Sequence, residues 1–388
     1  MAKLGDFMRI KHGFAFKGDY ITAEDNEIVL VTPGNFEIGG GFKEKKCKFF
    51  SGDYPKDYVL HADDLIVTMT DLSKQGDTLG YSARVPNSNR IYLHNQRIGL
   101  VDVFNPNADK DYLYWFMRTP QYQKKIVATA SGSTVKHTSP SRICDVEINL
   151  PSIDKQKKIA SLLTSIEKKI HISERINDNL EQQAAALFSS LYNRSNTEVR
   201  YTDLIQILGG GTPKTGETAY WNGNIAFFTP KDVGTPYTFI TEKTITEEGL
   251  SHCNSRLYPV NTVFVTARGT VGKVGLSGVP MAMNQSCYAL VGKETHQLLV
   301  YFYTLKAVDR LKHKASGAVF DAITTRDFDS EQIMKLSDDD AKAFLCVAEP
   351  MFQEMLNNSI ENLRLSTLRD FLLPKLMSGE IDVSSVQL

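Results

Sequence analysis

Long apolar runs, paired cysteines and an excess of charge of either sign are all missing from this 388-residue chain. No stretch approaches the ~18 uninterrupted apolar residues that a membrane-spanning helix needs. The opening residues, MAKLGDFMRIKHGF, lack the apolar core of a secretory leader. The five cysteines, at 47, 144, 253, 287 and 346, are scattered, and no two form a Cys-x-x-Cys pair. Neither a disulfide framework nor a cysteine zinc site is therefore expected, and the reading is of a cytoplasmic protein with no membrane contact. Lysine and arginine total 44 against 45 aspartates and glutamates. Even the most lopsided block, residues 338–388, carries only 4 basic and 9 acidic side chains. A global positive field is thus excluded, and any nucleic-acid binding must use local patches or charge lent by a partner. With 42% hydrophobic and 23% charged residues the chain is globular, and its length suggests two to four domains at roughly 100–200 residues each.

Signatures of chemistry are missing too. Gly269-Thr270-Val271-Gly272-Lys273 lacks the gap between glycines of a phosphate-binding loop, and Val274 stands where Ser or Thr should hold magnesium. GGGTPKT (209–215) has no Gly-Lys-Ser/Thr ending, so both segments read as turns. Neither HExxH nor GxSxG occurs, and the eight histidines show no ligand spacing. Asn105-Pro106-Asn107-Ala108 departs from the Asn/Asp-Pro-Pro-aromatic loop of adenine methyltransferases at its third and fourth positions. No nuclease-like pair of carboxylates before a lysine stands out. These absences point to a binding and scaffolding protein.

What is present is a duplication. Leu4-Gly5-Asp6 opens the first half as Tyr201-Thr202-Asp203 opens the second. DDLIVTMT (63–70) resembles NTVFVTAR (261–268), His94-Asn95-Gln96 resembles Met283-Asn284-Gln285, and Ser131-Gly132-Ser133 resembles Ser316-Gly317-Ala318. The pairs keep their order while the offset drifts, as expected of a repeat with loops of different length. Each half mixes β-branched runs with turn formers and one helical pattern, 111–128 and 296–315. The boundaries read 1–150 for the first globular part, 151–194 for a central helix, 195–337 for the second globular part, and 338–388 for a C-terminal helix and tail.

Ser152 to Tyr192 contains no proline or glycine. Its seam reads Ile159, Leu163, Ile166, Ile170, Ser173, Asn177, Leu180, Ala184, Leu187, Leu191, in the alternating steps of a coiled-coil stripe. The seam recurs from Phe344 to Leu376, with Arg369 as its one charged member. Both seams turn polar near their middle, at Ser173 and Asn177 in one helix and at Asn358 and Asn362 in the other. These four residues would meet in an antiparallel pair and also in a parallel pair in register, so the break alone does not choose direction. Buried amides in a seam fix register at some cost in stability; the other reading is that they face solvent or a partner. A helix of ~40 residues is ~60 Å long, a spacer rather than a core element. Pro374 is expected to end or kink the second helix near Leu373.

These features carry a resemblance. LPSIDKQKKIASLLTSIEKKIHISERINDNLEQQAAALFSSLY (150–192) looks like the central spacer of the specificity subunits of type I restriction-modification enzymes. GGGTPKTGETAYWNGNIAFFTPKDV (209–233) and the segment 241–285 look like parts of a target recognition domain, and LRDFLLPKLMSGEIDV (368–383) looks like that family's C-terminal end. The resemblance runs over essentially the whole chain. It implies an α+β fold: two pseudo-symmetric mixed α/β target recognition domains, separated by two long helices packed as an antiparallel coiled coil. It also implies that each domain binds one half of a bipartite site in double-stranded DNA, that the helices set the spacing, and that two modification (methyltransferase) subunits dock on the chain. Restriction and translocase subunits would join for cleavage. S-adenosylmethionine, ATP and magnesium would belong to those partners, with no cofactor, metal or catalytic residue in this non-catalytic chain. The sequence departs from the family pattern where TMTDLSKQGDTLGY (68–81) replaces the Arg-Gly-x-x-Gly-Lys turn of the second half, so the halves should read different bases.

Base edges are read by Arg or Lys on guanine and Asn or Gln on adenine, and phosphates by Lys, Thr and backbone N–H groups. On that chemistry the DNA-binding candidates are Asn35, Lys74, Gln75, Lys136 and His137 in the first half. In the second they are Lys214, Lys231, Arg268 and Lys273. For each lysine a solvated surface charge is the competing reading. Asn95-Gln96 and Asn284-Gln285 fit better as groups that satisfy buried backbone, and Trp115 and Trp221 fit better as core than as base-stacking platforms. Two other classes of function compete with DNA recognition: a stand-alone methyltransferase or nuclease, and a structural coiled-coil adaptor.

Overall fold

The seam periodicity produces two long helices, Ile153–Arg194 and Asp338–Ser378. The structure is a computed structural model, and the residues it describes are 2–45, 47–73, 75–234, 236–314 and 322–383. Two compact units share these helices. One consists of residues 1–170 and 364–388, the other of residues 171–363. The helices are antiparallel within the second unit. There Phe188 lies 5.5 Å from Phe344 ring to ring, while Asn177, eleven residues earlier in its helix, bonds to Asn358, fourteen residues later in the other. In the first unit Lys155, near the start of the central helix, pairs with Asp382, beyond the end of the C-terminal one, at 3.2 Å. Pro374 does not end the second helix, which runs on to Ser378. A proline removes one rung of the ladder, and Leu373 and Leu376 on either side are buried in the first unit's core.

The described residues of the first unit hold a four-stranded and a five-stranded sheet, besides two two-stranded ribbons. Met8–His12, Ile98–Val103, Leu65–Thr68 and Ser82–Arg84 form an antiparallel sheet in that order. Leu65, Ile66, Val67 and Thr68 are all buried, because both faces of this strand are covered. The second sheet is mixed, and Ile28–Val31 runs parallel to Ile91–His94 in it. The helical pattern of 111–128 splits into Lys110–Phe116 and Pro120–Ala128. Asp109 caps the first by accepting from the Tyr112 N–H, and Thr119 caps the second, with Pro120 in the first turn where no intrahelical N–H is needed. Trp115, fully buried, packs here with Ile159 and Leu163 of the central helix and with Leu373 and Leu376.

The second unit repeats this plan. Ile205–Gly209, Cys287–Gly292, Val263–Thr266 and Val274–Ser277 stand in the order of the first antiparallel sheet, and Trp221–Phe228 runs parallel to Met281–Met283 as Ile28–Val31 does to Ile91–His94. One helix, Gln297–Lys314, replaces the split pair. Its core gathers Phe188, Phe302, Phe344 and Phe352.

Two glycines show how deep the repeat goes. A Cβ on Gly13 would sit 2.2 Å from the Asn95 carbonyl oxygen, and one on Gly210 would sit 2.1 Å from that of Asn284. Each glycine lets a backbone pass directly over the polar pair of its half. The pairs themselves are turn formers: Asn95 Oδ1 accepts from the Arg97 N–H and Asn284 Oδ1 from the Ser286 N–H, both at 3.0 Å.

Candidate nucleic-acid interface

In both halves the buried strand of the antiparallel sheet ends in a threonine that organises the turn behind it. Thr68 Oγ1 donates to the Thr70 carbonyl, and Thr266 Oγ1 to that of Thr270. The Thr68 carbonyl accepts from Gly80 N–H at 3.0 Å and the Thr266 carbonyl from Gly272 N–H at 2.8 Å. Both glycines have positive φ, +83° and +73°, which a side chain would strain. The turns held this way differ in length and content.

The first-half turn is the longer one, and buried Asp71 holds it. Its carboxylate accepts from the Ser73 N–H and from the Thr78 N–H and hydroxyl. Ser73 Oγ then accepts from Gly76 and Asp77 N–H. Burial pushes the Asp71 carboxyl up, but these donors outweigh it and hold it below the usual carboxylate range. Beside this turn runs a short ribbon, Thr70–Asp71 against Lys136–His137, with Thr70 Oγ1 3.2 Å from His137 Nδ1. Gln75 and His137 are exposed and Lys136 half-exposed. The structure therefore brings Gln75, Lys136 and His137 to one edge. Lys74 lies outside the described residues.

Asn35 does not belong to this edge. Its side chain is 1% exposed. Its Oδ1 accepts from the Thr32 N–H at 2.8 Å, and its Nδ2 donates to the Lys43 carbonyl. An amide engaged in this way cannot reach a base. The second half has the same device, with Asp232 accepting from the Thr229 N–H and hydroxyl and from the Glu242 N–H. Thr32-Pro33-Gly34-Asn35 and Thr229-Pro230-Lys231-Asp232 are one repeated turn, and this parallel in the sequence would have marked Asn35 as a turn cap.

The second-half turn, Arg268 to Lys273, is pinned to that repeated turn by Thr270 Oγ1, which donates to the Pro230 carbonyl at 3.0 Å. Between them lies a cleft of about 470 Å³ whose walls include Lys231, Lys243, Thr270 and Asn284. Arg268, Lys273, Lys231 and Lys214 are all exposed. Lys231 faces Glu242 at 3.4 Å, a surface pair of small worth. Arg268 is the counterpart of Thr70: its backbone bridges Ala322, as that of Thr70 pairs with His137. Lys214 sits on a separate loop, which Thr212 ties to Gln285, next to Asn284 of the cleft. Trp221 is half-buried, edge-on to Phe227 at 5.5 Å, with Nε1 donating to the Lys214 carbonyl. Lys243, which sequence reasoning passed over, lies within the cleft and over the Trp221 ring at 5.5 Å.

Each globular part is anchored to the long helices within its own unit. In the first, Arg118, 5% exposed, ion-pairs with Glu167 of the central helix and lies over the Trp115 ring at 4.4 Å, while Trp115 Nε1 donates to Thr164. Gln156, fully buried, accepts from the Asp109 N–H and donates to the carbonyls of Asn107 and Pro151. In the second, Phe188 stacks on Phe302 at 5.0 Å, and the Tyr301 hydroxyl donates to Glu181. The polar break is also within the second unit. Asn358 Nδ2 donates to Asn177 Oδ1 at 3.0 Å, Asn177 Nδ2 donates to Ser359 Oγ, and Ser173 is buried. Asn362 is half-buried, and its Oδ1 has no partner among the described residues.

The model of the type I restriction modification DNA specificity domain matches this chain twice, over residues 1–182 and 193–335. The chain belongs to the type I restriction-modification DNA specificity family. The specificity subunit of the type I restriction enzyme HindI from Haemophilus influenzae is 24% identical, over 85% of this chain and 93% of that protein. The MjaIX specificity subunit of Methanocaldococcus jannaschii is 32% identical over a shorter stretch, 30% of this chain and 29% of that one. In fold, the crystal structure of a type I restriction-modification S subunit from M. genitalium matches with a TM-score of 0.60 at 15% identity, covering 96% of this chain and 94% of that one. With two specificity domains in tandem, this member of the family is organised as a specificity subunit. No helix among the described residues is long and apolar enough to cross a membrane.

Proposed function

We propose that each half of the chain reads one half of a bipartite site in double-stranded DNA, and that the two long helices fix the spacing between the half-sites. The observation that carries this reading is the pair of equivalent turns, built on Thr68 and Thr266 and closed by Gly80 and Gly272, whose exposed residues differ. A repeated scaffold with different side chains at its edge suits two readers of different sequences. In the first half the readers are Gln75, Lys136 and His137. In the second they are Arg268, Lys273, Lys231 and Lys214, with Lys243 in the cleft. Arg268 suits a guanine edge and the lysines suit phosphates.

The chain acts as a non-catalytic, cytoplasmic subunit. Two modification subunits dock on it and bring S-adenosylmethionine and the methyl transfer, and restriction and translocase subunits bring ATP and magnesium. A near-neutral chain fits this division, because partners then share the phosphate contacts that dominate affinity. A methylated base must leave the stack, so the assembled complex distorts the duplex. Gel shift on genomic fragments, with and without the modification subunits, tests the reading. Sequence-selective retention by the complex is expected. Methyl transfer from labelled S-adenosylmethionine by the purified chain alone, or no selective retention by the complex, would contradict it.

A further inference from the structure

Leu72 is 69% exposed, at the start of a turn whose backbone is otherwise tied down by buried polar groups. Its neighbour Asp71 is 5% exposed and spends its carboxylate on three donors of that turn. The backbone at Ser73, Gly76, Asp77 and Thr78 is thus hydrogen-bonded while Leu72 presents an aliphatic side chain to water. Gln75, on the same turn, carries an exposed carboxamide. His137 and Lys136, on the strand alongside, supply the polar and cationic surround that a phosphate backbone requires. The counterpart turn of the second half, Arg268 to Lys273, has no exposed aliphatic residue, and Thr270 stands two residues after Arg268 where Leu72 stands two after Thr70.

An exposed aliphatic group and an exposed carboxamide three residues apart on one turn suit one base pair in the major groove. The amide bonds bidentately to adenine N6 and N7, and the aliphatic group covers the C5-methyl of thymine. We propose that the first half reads an A·T pair, with Leu72 packing on the thymine methyl and Gln75 bonding to adenine. This inference rests on the reading of the first half as a DNA-binding domain and adds the base pair and the two side chains that select it.

Removing single groups from the DNA tests it. The complex with the modification subunits is assembled on a duplex carrying the methylated motif mapped in the host genome. Each thymine of the first half-site is replaced in turn by deoxyuridine, and each adenine by 7-deazaadenine. At one position the wild-type complex should lose roughly three- to tenfold in affinity on loss of the methyl, the scale of one buried methyl group. The Leu72→Ala complex should bind the thymine and deoxyuridine duplexes equally, and the Gln75→Ala complex should ignore 7-deazaadenine at the paired position. If every deoxyuridine substitution affects wild type and Leu72→Ala alike while the unmodified motif is still bound selectively, the inference is overturned and the domain reading stands. If the wild-type complex does not prefer the motif over a scrambled duplex, the domain reading itself falls.

Discussion

The two halves of this chain solve the same attachment problem with different chemistry. In the first unit a buried Arg118–Glu167 pair, a tryptophan indole on Thr164 and a fully buried Gln156 join the recognition domain to the central helix. In the second unit a phenylalanine cluster around Phe188, Phe302 and Phe344 does most of the same work, with hydrogen bonds from the Tyr301 hydroxyl to Glu181 and from the Met334 N–H to the Tyr192 hydroxyl beside it. The backbone plan is repeated while the contacts are not. A fold of this kind therefore constrains where each strand and turn ends, and leaves open both what the domain stands on and what its edge presents. The same division holds at the recognition turns, where the Thr68 and Thr266 hydrogen bonds recur and the exposed side chains do not.

The largest effect that separates the halves should come from Arg118→Ala. It takes the guanidinium from half-buried Glu167, which keeps the Tyr114 hydroxyl as a donor, and the loss should approach that of a broken buried pair, about 3–5 kcal/mol. Phe188→Ala in the second unit should cost a similar ~3–5 kcal/mol through the cavity it opens. The comparison sharpens with the double change Arg118→Met, Glu167→Leu, which should recover most of the loss, because a buried ion pair can be exchanged for apolar groups. Hydrogen exchange read unit by unit during denaturant titration checks all three. Equal losses for Arg118→Ala and for the double variant would break the contrast.

Next in size, Arg268→Ala should cost ~1–3 kcal/mol of discrimination at one base pair of the second half-site and leave the first untouched. Competition binding with single-base variants of the motif reads this, and a uniform loss over all sequences would make Arg268 a phosphate contact. Asn177→Leu alone strands the Asn358 amide, while Ser359 keeps its bond to the Met355 carbonyl, and should cost about 1–2 kcal/mol, whereas Asn177→Leu with Asn358→Leu should be neutral or stabilising at the expense of register. Thermal unfolding and a disulfide-trapping assay of register separate the two.

The smallest expected effect belongs to Glu181. Burial raises its carboxyl above the ordinary range, partly offset by the Tyr301 hydrogen bond. A carboxyl whose folded pKa is raised contributes stability that is full below its unfolded pKa and lost as pH rises through the folded one. Glu181→Gln should therefore raise the Tm slightly at pH 8, with the gain fading toward pH 4. A gain that grows as pH falls would reverse the assignment.

Much of the architecture was legible because period and punctuation are strong signals. The seam from Ile159 to Leu191 and its repeat to Leu376 gave both long helices, since apolar spacing survives any change of context. Pro374 misled, because a helix whose neighbours Leu373 and Leu376 are buried tolerates one missing rung. The recognition edges were harder to read. Asn35 in a loop looks like a reader of adenine until its partners are known, and only the parallel of Thr-Pro-Gly-Asn with Thr-Pro-Lys-Asp hints at its capping role. Leu72 carried no signal at all, because an exposed leucine differs from a core leucine only once the fold has placed it. Lys136 and His137 reach Asp71 and Thr70 across more than sixty residues of chain, a contact no local pattern encodes.

The account stands on the independence of the two readers. Residues 195–337 can be replaced by the matching half of another family member, and the methylated motif then mapped by single-molecule sequencing in cells that carry the modification subunits. The account predicts a new sequence in one half-site, with the other half-site and the spacing unchanged. A motif altered on both sides, or unaltered on both, would contradict it.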